Sequence, residues 1–125
     1  MFPAGTTQYV FSYINYYGQQ SNLFHISSIY YNVSGDKALE VNKVSSDSYK
    51  IEIKDLNNQD YQYVRIYSIV RTSQDSVPEV RVVTDFKIEG IETLEYIDRH
   101  TTGYTIDPTE LFYIGGEQLI VGTIT

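Results

Sequence analysis

The sequence predicts an all-β fold, a sandwich of about seven short strands followed by a C-terminal extension. Three observations predict it. Ile, Val, Thr, Tyr and Phe, which suit a pleated, half-buried surface, fill 54 of the 125 positions, whereas Ala, Leu and Met together fill 9. Apolar and polar residues alternate at a period of two in several stretches, and no stretch keeps a helical period over ten residues. Turn-forming clusters punctuate the chain every 10 to 15 residues, the spacing of a sandwich or barrel.

The first strand, Gln8 to Tyr17, is apolar on both faces, with Tyr9, Phe11 and Tyr13 alternating with Val10, Ile14 and Tyr16. Such a strand is central and covered, or one of its faces meets another protein. The polar run Gly18 to Asn22 ends it, and Phe24 to Tyr31 returns as the second strand of a hairpin. After the turn at Gly35-Asp36, Ala38 to Val44 forms a short third strand. In the fourth, Tyr49, Ile51 and Ile53 alternate with Lys50, Glu52 and Lys54, which gives one buried and one wet face.

Asp55 to Asp60 is a turn by composition. The fifth strand, Tyr61 to Arg71, carries Val64, Ile66 and Val70 on one face and Tyr63, Arg65 and Tyr67 on the other. A polar loop, Thr72 to Pro78, leads to the sixth. There Val80, Val82, Phe86 and Ile88 are expected on the inner face, opposite Arg81, Asp85 and Lys87. Gly90 breaks that strand, and Thr93 to Ile97 is the seventh. Residues 1–100 thus read as the sandwich and 101–125 as a turn-rich extension ending in a strand, Leu119 to Thr125, that belongs to this domain or an adjoining one. A strand with no stop signal points to a larger parent chain or a pairing partner.

Charge and composition exclude several functions. With a formal net charge of −7 and only 9 Lys and Arg, the chain lacks the basic stripe that nucleic acid requires. The absence of Cys removes disulfides, thiolate metal sites and cysteine nucleophiles. Met1 to Gly5 has neither the basic nor the apolar region of a secretory leader, and no stretch is apolar enough for a membrane span.

Chemistry-bearing motifs are sparse. His25 and His100 stand apart, without acidic or Cys partners at metal-ligand spacing. Asp98-Arg99-His100 could orient an acid–base group, but no nucleophile motif accompanies it. Asp55 to Asp60 spaces oxygen ligands tightly yet lacks the Gly and bidentate Glu of a calcium loop, so a solvated turn is expected. Gly115-Gly116 lacks the Lys and Ser or Thr of a phosphate cradle. No catalytic, cofactor-binding or metal-ligating residue is assigned. What stands out is the set of 13 Tyr, with Tyr16, Tyr17, Tyr30, Tyr31, Tyr61, Tyr63 and Tyr67 on the first, second and fifth strands. Tyrosines there serve an interface or cross-strand aromatic pairing, and the two can hold on opposite faces.

Residues 9–21, YVFSYINYYGQQS, resemble the late strand and turn of a fibronectin type III module, keeping Asn15, Gly18 and Ser21 of its Asn-x-x-Gly-x-x-Ser turn. Tyr49 to Ile88 is similar to the earlier strands of the same module, so the order is reversed. Either one module is circularly permuted or the chain joins the end of one to the start of the next; a single permuted sandwich is the expectation. Over about residues 3 to 122 the chain also resembles segments of large virion proteins of crAss-like bacteriophages, the tail muzzle or stabilisation proteins. The motifs are YVFSYINYYGQQSNLF, YVRIYSIVRTSQDSVPEVRVVTDFKI and LEYIDRHTTGYTIDPTELFYIGGE, in that order. Arg99-His100 departs from the small residues usual in the corresponding turn.

That resemblance implies a non-enzymatic structural module of a phage tail, made in the host cytoplasm and needing no cofactor. Its partners would be other virion proteins or copies of itself, with a host glycan as the alternative. The expected contact surface is the face of Tyr63, Arg65 and Tyr67, which spends two aromatics opposite an apolar face.

Overall fold

The computed structural model describes residues 5–27, 38–45, 48–72 and 77–121. Among these are eight strands: β1 (Thr6–Ile14), β2 (His25–Ile26), β3 (Leu39–Ser45), β4 (Ser48–Ile53), β5 (Tyr63–Arg71), β6 (Glu79–Lys87), β7 (Leu94–Asp98) and β8 (Tyr104–Ile106). A 3-10 segment (Pro108–Ile114) and a short helix α1 (Glu117–Val121) follow. The strands form two antiparallel sheets, one in the order β2-β1-β5-β6-β8 and the other β3-β4-β7. The fold is the all-β sandwich that the composition and alternation predict.

Two apolar cores hold it. Between the sheets, Tyr9, Phe11 and Tyr13 of β1 and Val64 and Ile66 of β5 meet Leu39, Val41, Ile51, Ile53 and Leu94 of the smaller sheet. A stack of rings lines one end of this core, with Phe24 and Tyr61 on either side of Tyr13 at centroid distances of 3.9 and 4.7 Å. The second core lies on the other face of the five-stranded sheet. There Val10, Tyr67, Ile69, Val80 and Val82 are covered by Leu111, Ile114 and Ile120 of the C-terminal segment. This third layer explains why β1 is apolar on both faces: it lies between β2 and β5 with a core on each side.

The strand ends depart from expectation where side chains compete with the ladder. Asn15 ends β1 at Ile14, because its Oδ1 accepts the backbone N–H of Tyr17 and of Gln19, both at 2.9 Å, and turns the chain. Tyr16 and Tyr17 therefore stand in a turn instead of continuing the strand. The second strand pairs over His25–Ile26, and its expected remainder, Ser28 to Tyr31, lies outside the described residues.

The sixth strand corrects the expected facing. In the β5–β6 ladder Ile66 pairs Thr84 while Tyr67 pairs Val82, which leaves Val83 as an extra residue, a β-bulge. The bulge resets the alternation, so Val80 and Val82 face the second core while Val83 and Ile88, with Phe86 packed against them, face the first. Arg81, expected on a wet face, is buried instead.

The C-terminal strand is also corrected. Leu119 to Val121 is helical, and Gly122 to Thr125 lies outside the described residues. The segment rests on a sheet face and not at a sheet edge, so its apolar residues pack without pairing, and this tertiary contact overrides strand propensity. Arg71 fixes it by donating from Nη2 to the carbonyl of Leu119 at 2.9 Å. Earlier in the extension, β8 joins the larger sheet by pairing Ile106 with Val80 and Tyr104 with Val82.

Candidate functional site

Tyr63, Arg65 and Tyr67 share one face of β5, as alternation requires, but the three have different surroundings. Tyr67 is only 3% exposed, covered by the second core. Gln20 Nε2 donates to its hydroxyl and to Ser12 Oγ, each at 2.6 Å. Arg65 stands at the edge of that cover. Its Nε and Nη2 donate to the two carboxylate oxygens of Asp85 at 2.7 and 2.8 Å, a bidentate pair across directly opposed positions of β5 and β6. Those hydrogen bonds hold the guanidinium above its ordinary pKa, against the opposing effect of burial. Tyr63 lies one step further out and is 37% exposed.

The turn after β1 completes this end of the sheet. Asn15 Nδ2 donates to Gln19 Oε1 at 2.8 Å, and the backbone N–H groups of Asn15 and Gly18 donate to the carbonyls of Gln19 and Asn15 at 3.0 Å. So braced, the turn presents Tyr16 and Tyr17 at 80% and 83% exposure, their rings edge to face at 5.5 Å. Between the turn and β5 runs a shallow groove of about 270 Å³, lined by Ile14, Asn15, Tyr16, Gly18, Gln20, Tyr63, Arg65 and Asp85. Tyr63 and Arg65 are thus brought together with Tyr16, while Tyr67 is a support beneath them.

A polar cluster of a different kind crosses the sandwich. Asp98, wholly buried at the end of β7, accepts from Tyr9 Oη at 2.6 Å and from Arg81 Nη2 at 2.7 Å, both on its Oδ2. Its Oδ1 accepts the backbone N–H of His100 at 3.0 Å, and Arg81 Nη1 also donates to the carbonyl of Thr102. Burial, with the Asp98 carboxylate beside it, pushes the Tyr9 phenol far above its ordinary value. The cluster ties both sheets to the turn after β7. Sequence reasoning did not find it, although a signal existed: Arg81 interrupts the apolar run Val80 to Val83.

The remaining motifs resolve into local structure. His100 reaches Asp98 through its backbone N–H, and its imidazole Nε2 lies 3.7 Å from Glu79 Oε1. His25 is half-buried on β2 against the ring of Phe24. In the turn Asp55 to Asp60, Asn57 Oδ1 accepts the N–H of Asp60, and its Nδ2 donates to the Asp60 carboxylate. At Gly115-Gly116 the 3-10 segment closes, the N–H of Gly116 donating to the carbonyl of Leu111 at 2.7 Å.

These features define a β-sandwich module with a self-covered sheet and an open, tyrosine-rimmed groove. The chain belongs to the Crassvirus muzzle protein family, whose model matches residues 1–125. It is 39% identical over 124 residues to the muzzle protein of Bacteroides phage crAss001, a match that takes in 99% of this chain and 9% of that protein. The chain therefore spans about a tenth of the length of the relative it matches. The family is one of structural virion components, and the likeness to crAss-like virion proteins carried by the three sequence motifs is real.

Proposed function

We propose that this chain is a non-enzymatic structural module of a phage tail protein that acts by packing against neighbouring virion proteins or other copies of itself. The observation that carries this reading is the whole-chain match to the muzzle family, together with the small share of a far longer relative that the chain fills. It is one building block of a large assembly, put together in the host cytoplasm. The interior supports the reading: two cores fill both faces of the larger sheet, and the Tyr9–Asp98–Arg81 cluster is committed to joining the sheets.

Connectivity supports the fibronectin type III-like reading in permuted form. In sandwiches of this kind strands A, B and E share one sheet and G, F and C the other. Here β3, β4 and β7 take the first set and β2, β1 and β5 the second, with β6 beyond β5. The last two strands of such a module would thus come first.

The proposed contact surface is the exposed end of β5, Tyr63 and Arg65, extended by Tyr16 and Tyr17. Tyrosine and arginine are the residues that most often anchor interfaces. The test is to place Tyr16→Ser with Tyr63→Ser in the parent virion protein and count its incorporation into particles. Retained folding with at least about tenfold lower incorporation is expected. Unchanged incorporation sinks this surface. Saturable heat on titrating host-surface glycans would favour adhesion instead.

A further inference from the structure

We infer that the open edge of β7 receives an extended, antiparallel strand of a neighbouring virion protein, with an apolar residue beside Tyr96 and a basic one beside Glu95. The inference rests on the packing reading and adds a second surface to it. Backbone phase gives the first reason. The Lys54 N–H donates to the Ala38 carbonyl at 2.8 Å, so Lys50, Glu52 and Lys54 turn their backbone groups to β3. Tyr49, Ile51 and Ile53 then turn theirs to Asp98, Tyr96 and Leu94 of β7. Glu95 and Ile97 are left with N–H and C=O aimed away from the sheet, and nothing among the described residues bonds them there. Groups at this spacing fit another extended backbone, which would exchange two bonds with each residue.

The other sheet edges give the second reason. β2 pairs over two residues, β8 spans three, and β3 carries a bulge at Val44 beside Lys43. Short and bulged edges resist an added strand. β7 pairs without a register shift along its length, and its outer face carries Ile97, 40% exposed. On its inner face the half-buried rings of Tyr96 and Phe86, 6.4 Å apart, border the first core. The added residue that opposes Tyr96 points to this side, so an apolar one extends the core.

Charge gives the third. Glu40 opposes Glu52 and Glu52 opposes Glu95, a row of three carboxylates across the outer face of the smaller sheet. Two exposed ammonium groups flank it, Lys50 3.4 Å from Glu95 and Lys54 4.0 Å from Glu52. The added residue opposite Glu95 becomes the fourth in that row, where Lys or Arg is favoured and a further carboxylate is repelled. A second copy of this chain is the poorer occupant, because each carries a net charge of −7.

The probe is the end-blocked peptide Thr-Val-Val-Lys-Val-Thr, whose first two Val would oppose Ile97 and Tyr96 and whose Lys would oppose Glu95. It is titrated into the isotope-labelled chain and followed by amide NMR. Saturable shifts centred on residues 94–98 are expected, with solvent exchange of the Glu95 and Ile97 N–H groups slowed at least about tenfold. The same peptide N-methylated at its first Val and its Lys cannot donate to β7 and should bind at least about tenfold more weakly. Glu in place of the peptide's Lys should weaken binding roughly twofold or more, and Glu95→Lys in the chain should reverse that order. Ile97→Pro removes only an outward N–H, so it should keep the fold and weaken the peptide. Equal binding of the N-methylated peptide, an unchanged preference in Glu95→Lys, shifts away from β7 or no saturation at all would overturn the inference. Placed in the parent virion protein, Ile97→Pro should lower incorporation into particles. If it does not, while Tyr16→Ser with Tyr63→Ser does, the β7 strand falls and the packing reading stands. If neither does, both surfaces fall.

Discussion

Arg81 and Asp98 form a buried ion pair between the two sheets, Nη2 to Oδ2 at 2.7 Å, with side chains 7% and 0% exposed. The pair exists because of the bulge at Val83: Arg81 and Val83 both face the inter-sheet space, where uninterrupted alternation with Phe86 and Ile88 would have sent Arg81 outward. Tyr9 Oη and the His100 N–H also donate to the Asp98 carboxylate, and the Thr102 carbonyl accepts from Arg81 Nη1, which leaves the buried Arg81 Nε as the one side-chain donor of the pair without a partner among the described residues. A geometric irregularity in one strand therefore sets the clasp between layers.

Removing one member leaves the other buried and charged. Asp98→Ala is expected to cost about 3–5 kcal/mol in urea unfolding, far more than a surface exchange. The double exchange Arg81→Met with Asp98→Leu should recover much of that loss, since apolar groups of similar volume avoid the desolvation penalty. A double variant no more stable than Asp98→Ala would show that the hydrogen bonds, and not the stranded charge, dominate.

The phenol of Tyr9 makes stability sensitive to alkali. Burial and the neighbouring Asp98 carboxylate raise its folded-state pKa well above the ordinary value of 10.0. A group whose folded pKa is raised contributes stability that is complete below its unfolded pKa and is lost as pH rises toward the folded one. Above about pH 10 the unfolded chain gives up this proton and the folded chain keeps it, so stability should fall by up to about 1.4 kcal/mol per pH unit. Urea midpoints between pH 8 and 11.5 should decline less steeply in Tyr9→Phe. Some decline should remain, because burial also raises Tyr13. Parallel profiles for the two proteins would refute the assignment.

Much of this fold was legible because period-two patterns report burial directly. Tyr49, Ile51 and Ile53 of β4 are all buried, and β5 faces as its alternation requires. What escaped depends on information no local pattern holds. The bulge at Val83 shows only in the pairing of β6 with β5, and an extra valine in a valine-rich strand leaves no mark. Leu119 and Ile120 look like strand residues, but the face they cover lies far away in sequence, on β1, β5 and β6. Of the proposed contact surface, Tyr63 and Arg65 were visible as aromatic and charged residues opposite an apolar face. Tyr67 was not separable from them, because what buries it is the C-terminal segment.

Two glycines with similar backbone angles should respond differently to a methyl group. Gly103 has φ +86°, and a Cβ there would fall 1.9 Å from the carbonyl oxygen of Val82, whereas Gly18 has φ +80° with nothing within 4 Å. Gly18→Ala should carry only the left-handed backbone cost of about 1–2 kcal/mol. Gly103→Ala adds a collision with the backbone of β6, beside the carbonyl that receives Arg81, and should cost at least about 3 kcal/mol. Thermal unfolding of the pair decides it, and equal losses would mean that the 98–103 turn shifts freely away from β6.

The C-terminal layer should be required for a monodisperse chain, because its removal uncovers a sheet face that is otherwise core. Tyr67, Ile69, Val80 and Val82 are each no more than 3% exposed beneath it, and together they would form a continuous apolar patch. Leu111 is fully buried at its centre, so Leu111→Ala should cost about 2–5 kcal/mol through lost transfer energy and the cavity left behind. Arg71→Met should loosen the segment more gently by removing the hydrogen bonds to Gln8 Oε1 and the Leu119 carbonyl. A chain ending at Ile106 is expected to bind the dye ANS and to self-associate on size exclusion, while Leu111→Ala stays monomeric with a lowered urea midpoint. If the shortened chain bound no dye and stayed monomeric, the second core would not be the surface that keeps this sheet apart from others.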